Sequence, residues 1–187
     1  MSVEGLAFKG SILRGYSRWL REQGQIERVL ACASGEAARK LRDPPLVIEW
    51  VAGDVQFAVL DAVHAVGGDA LLRAMVSGST QTGVLKLLEP LIQGVVRVFG
   101  KSPATLFSRL DSMRGNTVRG VDFRYRNEGE RSGVIEARSQ RDALSAHSAL
   151  AWAALLEALC RTLGFDDVRT SYESSGDRMG VTIRVQW

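Results

Sequence analysis

The sequence predicts an α+β fold in which N-terminal helices pack on a four-stranded, mainly antiparallel sheet. Three observations predict it. Apolar residues recur at helical spacing through the first two thirds of the chain. After Gly115 the pattern changes to strict alternation. One long helical stretch then separates two alternating pairs, giving ββαββ, an order that places helices on one face of an antiparallel sheet. At 187 residues the chain is expected to form a single domain: a helical N-terminal extension over 1–45 and a core over 46–187.

Taken in order, Leu6, Ile12, Leu13, Tyr16, Trp19 and Leu20 predict a first helix that ends at Gly24. "QIERVLACAS" predicts a second and "GEAARKLRD" a third, broken by Pro44-Pro45. Asp54 is a candidate cap for "VQFAVLDAVHAVGG", which should stop at Gly67-Gly68, and Asp69 for the short helix "ALLRAMVSG". "GVLKLLEPLIQGVVRVFG" is apolar around much of its circumference, so a central buried helix is expected there, with a kink or a restart at Pro90. Ser102, with Pro103 at the first helical position, opens "ATLFSRLDSMRG".

In the back half, Val121, Phe123 and Tyr125 alternate with Asp122, Arg124 and Arg126. Ile135 and Ala137 alternate with Val134, Glu136 and Arg138 beyond the turn "NEGERSG". "ALSAHSALAWAALLEALCRTLG" is the intervening helix, closed by Gly164. "DVRTSYES" and "VTIRVQW" are the last strands, with Val181, Ile183, Val185 and Trp187 on one beat. The arginines of the outward beat are interleaved with acids, as cross-strand pairing favours. The aromatics Phe123 and Tyr125 sit on the other beat, whereas a phosphate-binding sheet would show one sign of charge and exposed aromatics. A solvated, self-paired face is therefore expected.

Net charge is +3, with 8 basic and 5 acidic residues before Pro44, far short of a nucleic-acid tail. Two separated cysteines, Cys32 and Cys160, form neither a disulfide framework nor a metal quartet, which fits a reducing compartment. The charged N-terminus lacks a signal-peptide core, and no eighteen-residue uncharged apolar run exists to span a membrane. A cytoplasmic protein is expected. "GVVRVFGKS" has five residues between its glycines where a phosphate loop needs four, and it follows a helical run, so nucleotide binding is rejected. His64 and His147 are the only histidines, and neither has a partner at metal-ligand spacing. No G-x-S-x-G, S-x-x-K or cysteine-nucleophile signature occurs, and no enzyme is expected.

The layout of "LLEPLIQGVVRVFGKSPATLFSRLDSMRGNTVRG", "VDFRY", "SGVIEAR", "ALCRTLGFDDV" and "VTIRVQW" resembles a superfamily. It joins haem-NO-binding domains, vinyl-reductase-like domains and the small subunits of TRAPP vesicle-tethering complexes. Within it, the chain looks closest to an uncharacterised group of small myxobacterial, hence bacterial, proteins that end in a similar strand with a final Trp. The resemblance covers about residues 46 to 187. It implies an apolar pocket enclosed by helices and sheet, able to hold haem, an acyl chain or another hydrophobic ligand, and TRAPP-type dimerisation and docking. The haem-binding branch carries Tyr-x-Ser-x-Arg; "RYRNEG" and "SYESSGDR" depart from it, so His64 is not carried over as an iron ligand.

The leading expectation is a non-enzymatic, regulatory binding module: a hydrophobic-ligand-binding protein, a protein-docking adaptor, or both, without cofactor, haem included. Its expected partners are a protein and a hydrophobic small molecule or acyl chain, with homodimerisation through the apolar helices. Candidate pocket residues are Phe57, Leu60, Val95, Phe99, Phe123, Tyr125 and Trp152. The alternatives are a haem-based gas sensor using His64 and an unrecognised enzyme.

Overall fold

The computed structural model describes residues 5–80, 93, 94, 97, 100–111, 115 and 117–187. Strand β1 (Ala7–Lys9) leads into α1 (Gly10–Glu22), α2 (Ile26–Cys32), α3 (Gly35–Arg42), β2 (Trp50–Ala52) and α4 (Gly53–Ser79). Then follow α5 (Pro103–Phe107), β3 (Val118–Arg119), β4 (Val121–Gly129), β5 (Ser132–Ser139), α6 (Ser148–Thr162), β6 (Arg169–Ser174) and β7 (Gly180–Gln186). The main sheet runs β4-β5-β7-β6, antiparallel throughout, and helices pack against it. The expected α+β architecture is the observed one.

Helix α1 buries Leu13, Tyr16 and Leu20 on one face. Its other polar groups act as a cap for α3: Ser17 Oγ donates to the Leu41 carbonyl at 2.7 Å and Arg21 to the Arg42 carbonyl at 2.8 Å. Those carbonyls have no partner within their own helix, so the contact satisfies them while fixing the angle between the two helices. Helix α4 is the spine. It packs against α1, α2, α3 and α6, and Val59, Val63, Leu72 and Met75 are fully buried. It is long and apolar enough to cross a membrane by length and composition, and 44% of that apolar window is buried inside the fold. The expected stop at Gly67-Gly68 is a kink: Gly68 takes φ +61, and the chain is helical again from residue 69. Asp54 accepts from Val55 inside the first turn, while the N-cap position is Ala52.

Three local expectations change. The first helix begins at Gly10, because Ala7–Lys9 pairs with β2 and β3 to form a separate three-stranded sheet, β2-β1-β3. Strands of two or three residues are too short to show an alternation. Helix α6 begins at Ser148, five residues late, since Leu144 instead donates its amide to Arg178 in the β6–β7 turn. Val134, assigned to the outward beat, is buried at 1% exposure. The apolar helix expected around Pro90 lies outside the described residues.

Elsewhere the outward beat interleaves charges, and Arg126 pairs with Glu128 and Arg138 with Asp177. Register places Arg124 opposite Glu136 and Asp122 opposite Arg138. One apolar core joins Leu6 and Phe8 to Ile135, Ile183 and Trp187.

Gly10 abuts the loop after α3: a Cβ there would lie 2.2 Å from the Leu46 carbonyl oxygen. Its amide also donates to the Glu49 carbonyl at 2.7 Å. Gly10→Ala is therefore expected to lower the melting temperature by roughly 5 °C, about 2 kcal/mol, in a thermal scan by circular dichroism.

Candidate functional site

A cavity of about 110 Å³ lies where α1, α4 and α6 meet the two sheets. The inward beat of the small sheet supplies Phe8 and Val118, α4 supplies Phe57 and Leu60, and α6 supplies Ala151 and Trp152. Aromatic edges define its shape: Phe8 meets Phe57 at 5.9 Å and Phe123 meets Trp152 at 5.6 Å, both edge to face. Ile135 and Ile183 of the main sheet form the floor. An apolar cavity of about 150 Å³ holds a benzene molecule, so this space suits a compact guest.

Two polar side chains on this wall stand out. Tyr16 is buried, and desolvation pushes its phenol well above the usual range, partly offset by the Gln56 amide beside it. The hydroxyl stays protonated, able to donate. Gln56 is 2% exposed, and its Oε1 has no hydrogen-bond partner. A buried unpaired carbonyl costs about 1–3 kcal/mol, so a guest with a donor group would gain by meeting it.

Of the residues expected to line a pocket, Phe57, Leu60, Phe123 and Trp152 do so. Tyr125 does not: its ring packs on Phe107 at 5.8 Å and over Gly133, where the missing side chain leaves it room. Val95 and Phe99 lie outside the described residues. Tyr16 and Gln56 were not singled out in the sequence, although a glutamine inside the apolar run "VQFAVL" is a signal of this kind.

The histidines form an unexpected pair. His64 on α4 and His147 at the start of α6 stack with ring centroids 3.9 Å apart. Asp69 holds His64 Nε2 at 3.0 Å and Asp61 holds His147 Nδ1 at 2.7 Å. Both rings are part-exposed and neither lines the cavity. Among the described residues no group of three or more His, Cys, Asp or Glu is arranged to hold a metal ion.

No family model matches the chain, and no curated protein does. Solved structures do. The Fe(II) unliganded H-NOX protein (haem-nitric oxide/oxygen binding) from K. algicida aligns over 95% of both chains with a TM-score of 0.65 at 13% identity. A structure described as probing haem distortion in the H-NOX family aligns over 96% of this chain and 94% of its own, with a TM-score of 0.62 at 12% identity. A study of haem redox potential and porphyrin distortion supplies a third, covering 96% and 99%, with a TM-score of 0.59 at 11% identity. At such identity the likeness is one of fold.

These neighbours correct four expectations. The haem-NO-binding branch of the resemblance is retained, while the vinyl-reductase-like, TRAPP small-subunit and myxobacterial parts are not supported. The non-enzymatic hydrophobic-ligand or docking-adaptor reading gives way to the gas-sensor alternative, because the neighbours are H-NOX proteins. The expectation of no cofactor is overturned on the same ground, the neighbours being haem proteins. The resemblance rests on element order and scattered positions, which carry no motif specific to one branch. Of the expected partners, the small molecule is the part retained; a protein partner finds no support.

Cys160 is fully buried, and burial, reinforced by Glu157, pushes its thiol up to about 12. Cys32 is exposed. Native protein at mildly alkaline pH should therefore release one equivalent of chromophore from a disulfide thiol reagent, and a second only in denaturant.

Proposed function

We propose that this chain is a small-molecule sensor domain of the H-NOX kind, receiving a diatomic gas or a guest of similar size in the cavity between α1, α4 and α6. The observation that carries this reading is the apolar space of about 110 Å³ with a buried, unpaired acceptor, Gln56 Oε1, on its wall. Phe57, Leu60, Phe123 and Trp152 would hold the apolar body of the guest, and Tyr16 and Gln56 would meet its polar end. A domain of this type acts by reporting occupancy and catalyses no reaction. The unpaired cysteines fit a cytoplasmic setting.

Haem is what the neighbours' descriptions name, and a haem ligated as in that family does not fit the residues described here. Histidine, cysteine or tyrosine commonly hold haem iron. Both histidines lie off the cavity, engaged with each other and with Asp61 and Asp69. Cys32 is exposed, Cys160 is outside the lining, and Tyr16, the one phenol on the wall, is held protonated by burial. Among the described residues no lysine or arginine lines the space to meet propionates, and its volume is well below the roughly 300–1,000 Å³ of sites for drug-sized ligands. No step through iron is derived.

Thermal scans under nitric oxide, carbon monoxide and oxygen, each with and without haemin, test the sensor reading. At least one condition should raise the melting temperature, by about 5–10 °C at a hundredfold excess over Kd. Ala151→Leu, which narrows the cavity, should abolish the rise while keeping the unliganded melting temperature within a few degrees. Absence of any shift overturns the reading. Independently, His64→Ala should leave any Soret band formed with haemin unchanged, since His64 faces away from the cavity.

A further inference from the structure

Among the described residues, the exposed large hydrophobics are three neighbours, Leu46, Val47 and Ile48, at 67%, 43% and 76% exposure. They form the tip of the loop between α3 and β2, and the loop is braced rather than loose. Glu49 donates its amide to the Leu46 carbonyl at 3.0 Å, and its carboxylate pairs with Lys40. Lys9 Nζ donates to the Ile48 carbonyl at 3.1 Å. A turn held this firmly keeps its aliphatic side chains in water, an arrangement that folding alone does not favour and that marks a contact surface.

The base of the tip is cationic. On the outward beat of the small sheet, Lys9 lies 4.1 Å and Arg119 4.0 Å from the centroid of the same Trp50 ring. Two like charges share one indole. Cation–π contact offsets part of their repulsion; an anion between them would remove it. The surface thus gathers an aliphatic tip, an indole and a cation pair within one patch. That combination suits the acyl boundary, interface and phosphates of an anionic bilayer leaflet.

We propose that the Leu46–Ile48 tip with Lys9, Trp50 and Arg119 docks this domain onto an anionic phospholipid surface. The aliphatic side chains enter the acyl boundary, Trp50 sits at headgroup level, and the two cations take lipid phosphates. This peripheral contact is separate from the sensor cavity, whose wall is the opposite beat of the same small sheet, Phe8 and Val118.

Co-sedimentation of the full chain with vesicles of phosphatidylcholine doped with phosphatidylglycerol, against vesicles of phosphatidylcholine alone, tests it. The chain should pellet with the anionic vesicles only, and added salt should weaken the binding. Ile48→Ser should weaken it about tenfold and Arg119→Gln about fivefold, with melting temperatures close to that of the unaltered chain. Failure to pellet with anionic vesicles overturns the proposal, as does equal pelleting of both variants. A concentration-dependent dimer in analytical ultracentrifugation that Ile48→Ser dissolves, without vesicle binding, reassigns the tip to self-association and overturns it too.

Discussion

The seating of α6 against α4 and the main sheet is the constraint on which the rest of the structure depends. Ala149, Ala151, Ala153, Ala154 and Ala158 are all nearly or fully buried, so the α6 backbone approaches its neighbours closely. Larger side chains would hold the layers apart. One polar tie fixes the register of the three layers: Glu157 on α6 accepts from Arg73 on α4 at 3.1 Å and from the Thr170 hydroxyl on β6. Its side chain is 13% exposed, and truncating one partner of so sheltered a pair costs more than the pair itself contributes.

That close seating also makes the cavity. Where the alanine face of α6 meets the aromatic edges of Phe57 and Phe123, volumes do not match and a space is left. Trp152 closes one side and the inward beat of the small sheet another. The small sheet thereby works on two surfaces: Phe8 and Val118 face the cavity while Lys9, Trp50 and Arg119 face solvent. A residue as plain as Phe8 links the two, because its strand partners fix both faces at once.

The likeness to known structures is one of fold, and the residues at the cavity are this chain's own. Its architecture aligns over 95% of its length with an H-NOX protein, and its two histidines are stacked on each other outside the cavity. One fold can carry different binding groups, because the core that holds it and the groups that bind can be different residues. Here the core residues Ile135, Ile183 and Leu156 also form the cavity wall, while the polar contribution falls to Tyr16 and Gln56.

Much of this was legible in the sequence. Periods of 3.6 and 2 identified α1, α2, α3, the ββαββ half and the glycine break in α4, because a buried face leaves its spacing in any element of several turns or pairs. Phe57, Leu60, Phe123 and Trp152 were legible as inward-facing for the same reason. The small sheet was not, since its strands of two or three residues are held by partners more than forty positions apart. Nor was the meeting of His64 with His147, 83 positions away, or the departure of Tyr125 from the cavity. Local periodicity records which side of an element is buried. Which buried sides face one another is decided only when the layers pack, by side-chain volume and sheet twist.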